Sequence, residues 1–97
     1  MAVKQIFNER GAIGDDRWYV GDFTDFLLGS ATIASGTALL YYGGTETIAG
    51  TPTIQTTSPY VYARPSFAQT GLYIMDVRGT DNAGEDKWIR FLIDVQF

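Results

Sequence analysis

The chain has 97 residues, 45% of them apolar and 19% charged, with six Tyr, six Phe and two Trp, no Cys, no His and a net charge of −4. That length holds one core and is too short for two, and that composition can bury it, which excludes general disorder. The lack of Cys and His removes a disulfide framework, a thiol nucleophile, a Ser/His/Asp arrangement and the usual zinc ligands, and seven scattered basic residues under a negative net charge oppose binding to nucleic acid.

No stretch of a dozen residues carries apolar positions at helical spacing, so strands are the expected elements throughout. The opening "MAVKQIFNERGAIG" has no long apolar core, and no apolar run in the chain approaches the ~18 residues that cross a bilayer; no signal peptide or membrane span is expected. Val3 to Phe7 reads as a strand, and residues 1–14 as an arm or edge strand able to add to a neighbouring sheet, ahead of a domain spanning 15–97. In "GDDRWYVGDFTDFLLG", Trp18 to Leu28 reads as strand with a break near Gly21. Asp15, Asp16, Asp22 and Asp25 gather there, and paired carboxylates can serve as acid and base on a sugar. A chain this small offers no deep cleft, and each of these aspartates suits a turn or a solvated position. The neighbouring aromatics Trp18, Tyr19, Phe23 and Phe26 read as core and sheet-face residues, with sugar stacking as the lesser alternative.

Thr32 to Ile33 and Ala38 to Tyr42 follow as short strands, Gly43 to Pro52 as a turn and a short strand, then Thr53 to Thr57 and the segment Pro59 to Phe67. Pro59 and Pro65 suit edge or turn positions, because proline donates no hydrogen bond to a ladder. The clearest pattern closes the chain. Tyr73, Met75 and Val77 alternate with Leu72, Ile74, Asp76 and Arg78; Ile89, Phe91, Ile93, Val95 and Phe97 alternate with Trp88, Arg90, Leu92, Asp94 and Gln96. Between them lie Thr80 to Asp86. Asp76, Asp81, Asn82, Glu85 and Asp86 offer oxygen ligands, but not at the spacing of an EF-hand loop. Asp-Asn-Ala-Gly is instead what a tight turn requires, so this segment predicts a hairpin turn and no metal site.

About seven short strands at roughly 8 to 12 residue intervals predict an all-β, immunoglobulin-like antiparallel β-sandwich, with a small barrel as the alternative. From Phe26 through Met75 the only charged residues are Glu46 and Arg64, amid abundant Thr, Ser, Gly and Tyr. Thr and Tyr make good strands, but an open surface normally carries more charge, and contact faces are depleted of it. The expected contact residues are therefore Val3, Ile6 and Phe7 on the arm, and Leu72, Ile74, Trp88 and Leu92 on the side of the final strands opposite the core. No catalytic, cofactor-binding or metal-binding residue is assigned.

Tyr19-Val20-Gly21-Asp22-Phe23-Thr24, then Leu27 or Leu28, Gly29 and Thr32-Ile33, followed by Thr70-Gly71-Leu72-Tyr73 through Val77, Asn82-Ala83-Gly84 and Ile89 through Val95, form a pattern over most of the chain. It resembles the small Ig-like proteins of tailed bacteriophages that serve as fiber-tail adaptors. The chain departs from that pattern at Ile33, and Ser35 to Gln69 follows no signature of the family. The resemblance implies a non-enzymatic virion protein without cofactor, assembled in the host cytoplasm, present in several copies and joining tail or neck to fibres. The implied partners are tail, neck, fibre or capsid subunits and further copies of itself, not nucleic acid or membrane. A capsid decoration or cement protein is the near alternative. A sugar- or calcium-dependent binding module is another, and exposed aromatics around a concave face would mark it.

Overall fold

The computed structural model describes residues 3–43 and 48–97, with Val3 and Lys4 described by their backbone alone. Among these residues are eight strands: β1 (Val3–Ala12), β2 (Tyr19–Asp22), β3 (Ile33–Tyr42), β4 (Ile48–Gly50), β5 (Thr53–Thr57), β6 (Tyr60–Arg64), β7 (Gly71–Asp81) and β8 (Asp86–Gln96). They form a five-stranded sheet in the order β1-β8-β7-β3-β4 and a three-stranded sheet in the order β2-β6-β5. The two sheets pack as an immunoglobulin-like β-sandwich. All neighbouring strands run antiparallel except β1, which lies parallel to β8 on the edge of the larger sheet.

Alternation decides which residues fill the space between the sheets. Ile89, Phe91, Ile93 and Val95 of β8 and Tyr73, Met75 and Val77 of β7 are buried there, against Tyr19, Val61, Ala63 and Phe67 from the other side. Tyr73 anchors the far end of this core: its ring lies 4.9 Å from those of both Phe67 and Tyr42, and its hydroxyl donates to the Gln69 carbonyl at 2.8 Å. Such pairs add somewhat to the burial of their area. At Gly36, between the sheets, no side chain fits. A Cβ on Gly36 of β3 would lie 2.6 Å from Cγ1 of the buried Val61 and 2.9 Å from Oγ1 of Thr56.

Three expected elements differ in the structure. The strand from Trp18 to Leu28 ends at Asp22, because the Asp22 carboxylate accepts the Thr24 amide at 3.0 Å and the Thr24 hydroxyl at 2.5 Å. That side-chain turn leads into one turn of 3₁₀ helix, Thr24–Phe26, and drops Phe23 wholly into the core. The two short strands at Thr32 to Ile33 and Ala38 to Tyr42 are one strand, carried through Ala34-Ser35-Gly36-Thr37 with one register shift by pairing with β7. The first strand continues past Phe7 to Ala12, since β8 supplies a partner for every position from Gln5 onward. In the last two cases a neighbouring strand overrides weak local preference.

Candidate interaction surfaces

The hairpin that joins β7 to β8 turns on Asp81. Its Oδ1 accepts the amides of Ala83 and Glu85, both at 2.9 Å, and its backbone amide donates to the Glu85 carbonyl at 2.9 Å. Gly84 closes the turn at a φ of +86°, in the region glycine favours. Asn82 ties the hairpin to the start of β3, donating its amide to the Thr32 carbonyl and accepting the Thr32 amide on its side chain. The Glu85 amide above all, with the Ala83 amide and the Lys87 ammonium 3.7 Å away, holds the Asp81 carboxyl below the ordinary carboxylate range against the opposing effect of burial. Asp86 accepts from the Thr80 hydroxyl at 2.7 Å. The acidic segment is thus a turn bonded to its own backbone, and among the described residues no three acidic side chains gather in a way that could hold a metal ion. Two of the four earlier aspartates are likewise engaged: Asp16 lies 3.4 Å from Arg64, and Asp22 holds Thr24.

The outer face of the five-stranded sheet is built by register. One row crosses it as Asn8, Leu92, Ile74, Tyr41 and Ile48, from β1 to β4. Beside it runs a row of Ile6, Arg90, Asp76 and Leu39, and on the other side one of Arg10, Asp94 and Leu72. Leu72, Ile48 and Ile6 are 61%, 59% and 58% exposed. Asp76, on the same face, is only 2% exposed, because the Arg90 guanidinium covers it in a two-point pair at 2.7 and 2.9 Å. That hydrogen bond raises the Arg90 pKa further above its already high value. Next to the apolar row is a shallow concavity of about 740 Å³ whose lining includes Arg10, Leu72, Ile74, Leu92 and Asp94.

Of the expected contact residues, the structure brings Ile6, Leu72, Ile74 and Leu92 onto this face. Trp88 shares the face but is half-buried, with the Arg78 guanidinium 5.6 Å from its ring centre. Phe7 points to the opposite side, where its ring stacks on Phe91 at 5.6 Å. The Val3 side chain lies outside the described residues. Leu39, Tyr41 and Ile48 join the face unannounced by the sequence pattern, because the parity of β3 and β4 becomes readable only once their register with β7 is known.

The outer face of the three-stranded sheet has another character. Val20, Tyr62 and Gln55 form one row and Asp22, Tyr60 and Thr57 the next. Trp18 sits beside them with the Arg64 guanidinium 4.8 Å from its ring centre. Of the four aromatics from Trp18 to Phe26, Tyr19 and Phe23 belong to the core, Phe26 packs against it, and Trp18 alone reaches this face. Tyr60 and Tyr62 replace the others, a Tyr-x-Tyr alternation around buried Val61 that marks them as outward-facing. Arg17 fastens the adjoining edge, donating to the Tyr19 hydroxyl at 2.8 Å and to the Arg10 carbonyl at 2.5 Å, and so links the small sheet to β1. Burial raises the Tyr19 pKa, against the lowering effect of the Arg17 hydrogen bond.

No family model matches the chain, and no curated protein matches it. Among solved structures it is similar to InlP of Listeria monocytogenes, with a TM-score of 0.60 at 12% identity, over 95% of this chain and 26% of InlP. It is also similar to the 2,6-sialyltransferase of the Vibrionaceae bacterium Photobacterium sp. JT-ISH-224, with a TM-score of 0.49 at 13% identity, over 97% of this chain and 18% of the enzyme. The chain therefore spans about a quarter of the first protein and less of the second. At 12% identity the likeness to InlP is one of fold alone, and the fold is a β-sandwich of immunoglobulin-like kind.

Proposed function

We propose that this chain is a non-enzymatic structural protein of a tailed-bacteriophage virion, a multi-copy adaptor that joins tail or neck to fibres through contacts between subunits. The observation that carries the reading is the apolar outer face of the five-stranded sheet, where Leu72, Ile48 and Ile6 stand in the open around the row of Leu92, Ile74 and Tyr41. Exposed apolar patches of this kind mark contact sites. A second observation supports it. The edge strand β4 and the neighbouring edge strand β5 carry no charged residue between Ile48 and Thr57, whereas isolated sheets guard their edges with charge. The virion assignment itself rests on the sequence resemblance. The mechanism is adhesion: each contact would bury on the order of 800 Å² per partner, and repetition multiplies modest affinities into a firm assembly.

Sedimentation across a concentration series tests the contact. The expected result is self-association that Leu72→Asp abolishes while the melting temperature stays near that of the parent chain. A monomer at every concentration removes self-association. Quantitative mass spectrometry of purified tailed particles tests the remainder, and absence of the chain from them removes the virion reading.

A further inference from the structure

We infer that the outer face of the three-stranded sheet is a binding site for a neutral glycan, separate from the contact face of the larger sheet. Tyr60 and Tyr62 stand side by side on β6, the central strand, with ring centres 6.0 Å apart and planes inclined at 50°. Across the strands from Tyr62 lie Val20 on one side and Gln55 on the other. Trp18, Val20, Gln55, Thr57 and Tyr62 line a shallow, open concavity of about 330 Å³, at the small end of the range for ligand sites. A pyranose ring presents one face of C–H groups and a rim of hydroxyls. Aromatic rings match the first, and side chains that both donate and accept match the second.

The polar groups here are unspent. The hydroxyls of Tyr60, Tyr62 and Thr57 and the amide of Gln55 have no hydrogen-bond partner among the described residues. The charged groups leave no free cation: Arg64 lies over Trp18 and 3.4 Å from Asp16, while Asp22, hydrogen-bonded by Thr24, keeps its negative charge. That pairing selects against anionic ligands such as sialylated or phosphorylated sugars, which need a free cation. The stack of Arg64 on Trp18 also fixes the indole as one wall of the site, so little side-chain ordering remains to be done on binding.

The test is titration of the ¹⁵N-labelled chain with cellohexaose, maltohexaose, xylohexaose and chitohexaose, followed by amide shifts and Trp fluorescence. At least one of these is expected to bind with a Kd between about 10 µM and 1 mM, moving amides of β2, β5 and β6 and leaving the middle of β8 still. Tyr62→Ala is expected to weaken binding at least tenfold and Gln55→Ala several-fold, while Leu72→Asp leaves it unchanged. Shift mapping on the parent chain keeps the test valid if a variant unfolds. No binding at 10 mM of any of the four, or shifts confined to the larger sheet, overturns the proposal. So does a change of oligomeric state in Tyr62→Ala, which would make this face a subunit contact.

Discussion

The two outward faces of this sandwich meet water in opposite ways. On the larger sheet a carboxylate is hidden and a leucine is bare: Asp76 and Leu72 point to the same side of β7, yet Asp76 is 2% exposed and Leu72 61%. On the smaller sheet aromatic rings and uncharged hydroxyls share the surface, Arg64 is paired with Asp16, and the Asp22 carboxylate accepts from Thr24. The contrast teaches that residue type along a strand fixes the side but not the exposure. A cross-strand partner does that. Arg90, one strand over, covers Asp76, while Leu72 lies in the row of Arg10 and Asp94 at the end of the sheet.

The largest effect is expected from breaking the covered pair. Arg90→Met leaves the Asp76 carboxylate buried without its cation; since Arg90 is itself 30% exposed, water enters and the loss is about 2–3 kcal/mol, read from urea unfolding. Adding Asp76→Leu to that variant is expected to restore most of the stability, because two apolar groups then replace the pair. A full loss in the double variant would mean that the stranded carboxylate is not the cause and that the pair itself holds this part of the sheet.

Next comes the space between the faces. Gly36→Ala is expected to cost about 1–3 kcal/mol, since the added methyl meets Val61 in the core and Thr56 on the opposite sheet. Restoring room with Gly36→Ala plus Val61→Ala should recover less than the whole, because a cavity opens elsewhere. A smaller effect follows from pH. The Asp81 carboxyl is held low in the folded state, so its contribution to stability is present at neutral pH, above the unfolded value of about 3.9, and is lost as pH falls through the lower folded value. Melting curves between pH 6 and 2 should therefore drop less steeply in Asp81→Asn than in the parent chain. The smallest effect is expected on the open side of the small sheet, where Val20→Thr should stay within about 0.5 kcal/mol of the parent chain. A larger loss there would show that this face is covered.

The sequence made the final hairpin readable, because Tyr73 to Val77 and Ile89 to Val95 alternate strictly and Asp81-Asn82-Ala83-Gly84 can do little but turn. The outward set on β7 and β8 followed from the same alternation. Elsewhere the signal was nonlocal. Ala34-Ser35-Gly36 has little strand preference of its own and is extended because β7 lies beside it. Asn8 to Ala12 is a strand because β8 supplies a parallel partner, which no short-range pattern announces. The end of β2 was a matter of one carboxylate: Asp22 bonded to its own backbone two residues on, and the strand stopped. The Tyr60 and Tyr62 pair was visible as an alternation, but its neighbours Val20 and Gln55 come from two other strands and had to be assembled by register, and Trp18 comes from the segment just before β2.

The parallel pairing of β1 with β8 has a mechanical side. The start of β1 lies beside Trp88 and the end of β8 beside Ala12, so the two ends of the chain leave the ladder at opposite extremities. Tension entering before β1 and leaving after β8 runs along both strands in opposite senses. It shears the row of evenly spaced, slanted hydrogen bonds all at once, where the same pull on an antiparallel pair would open them one after another.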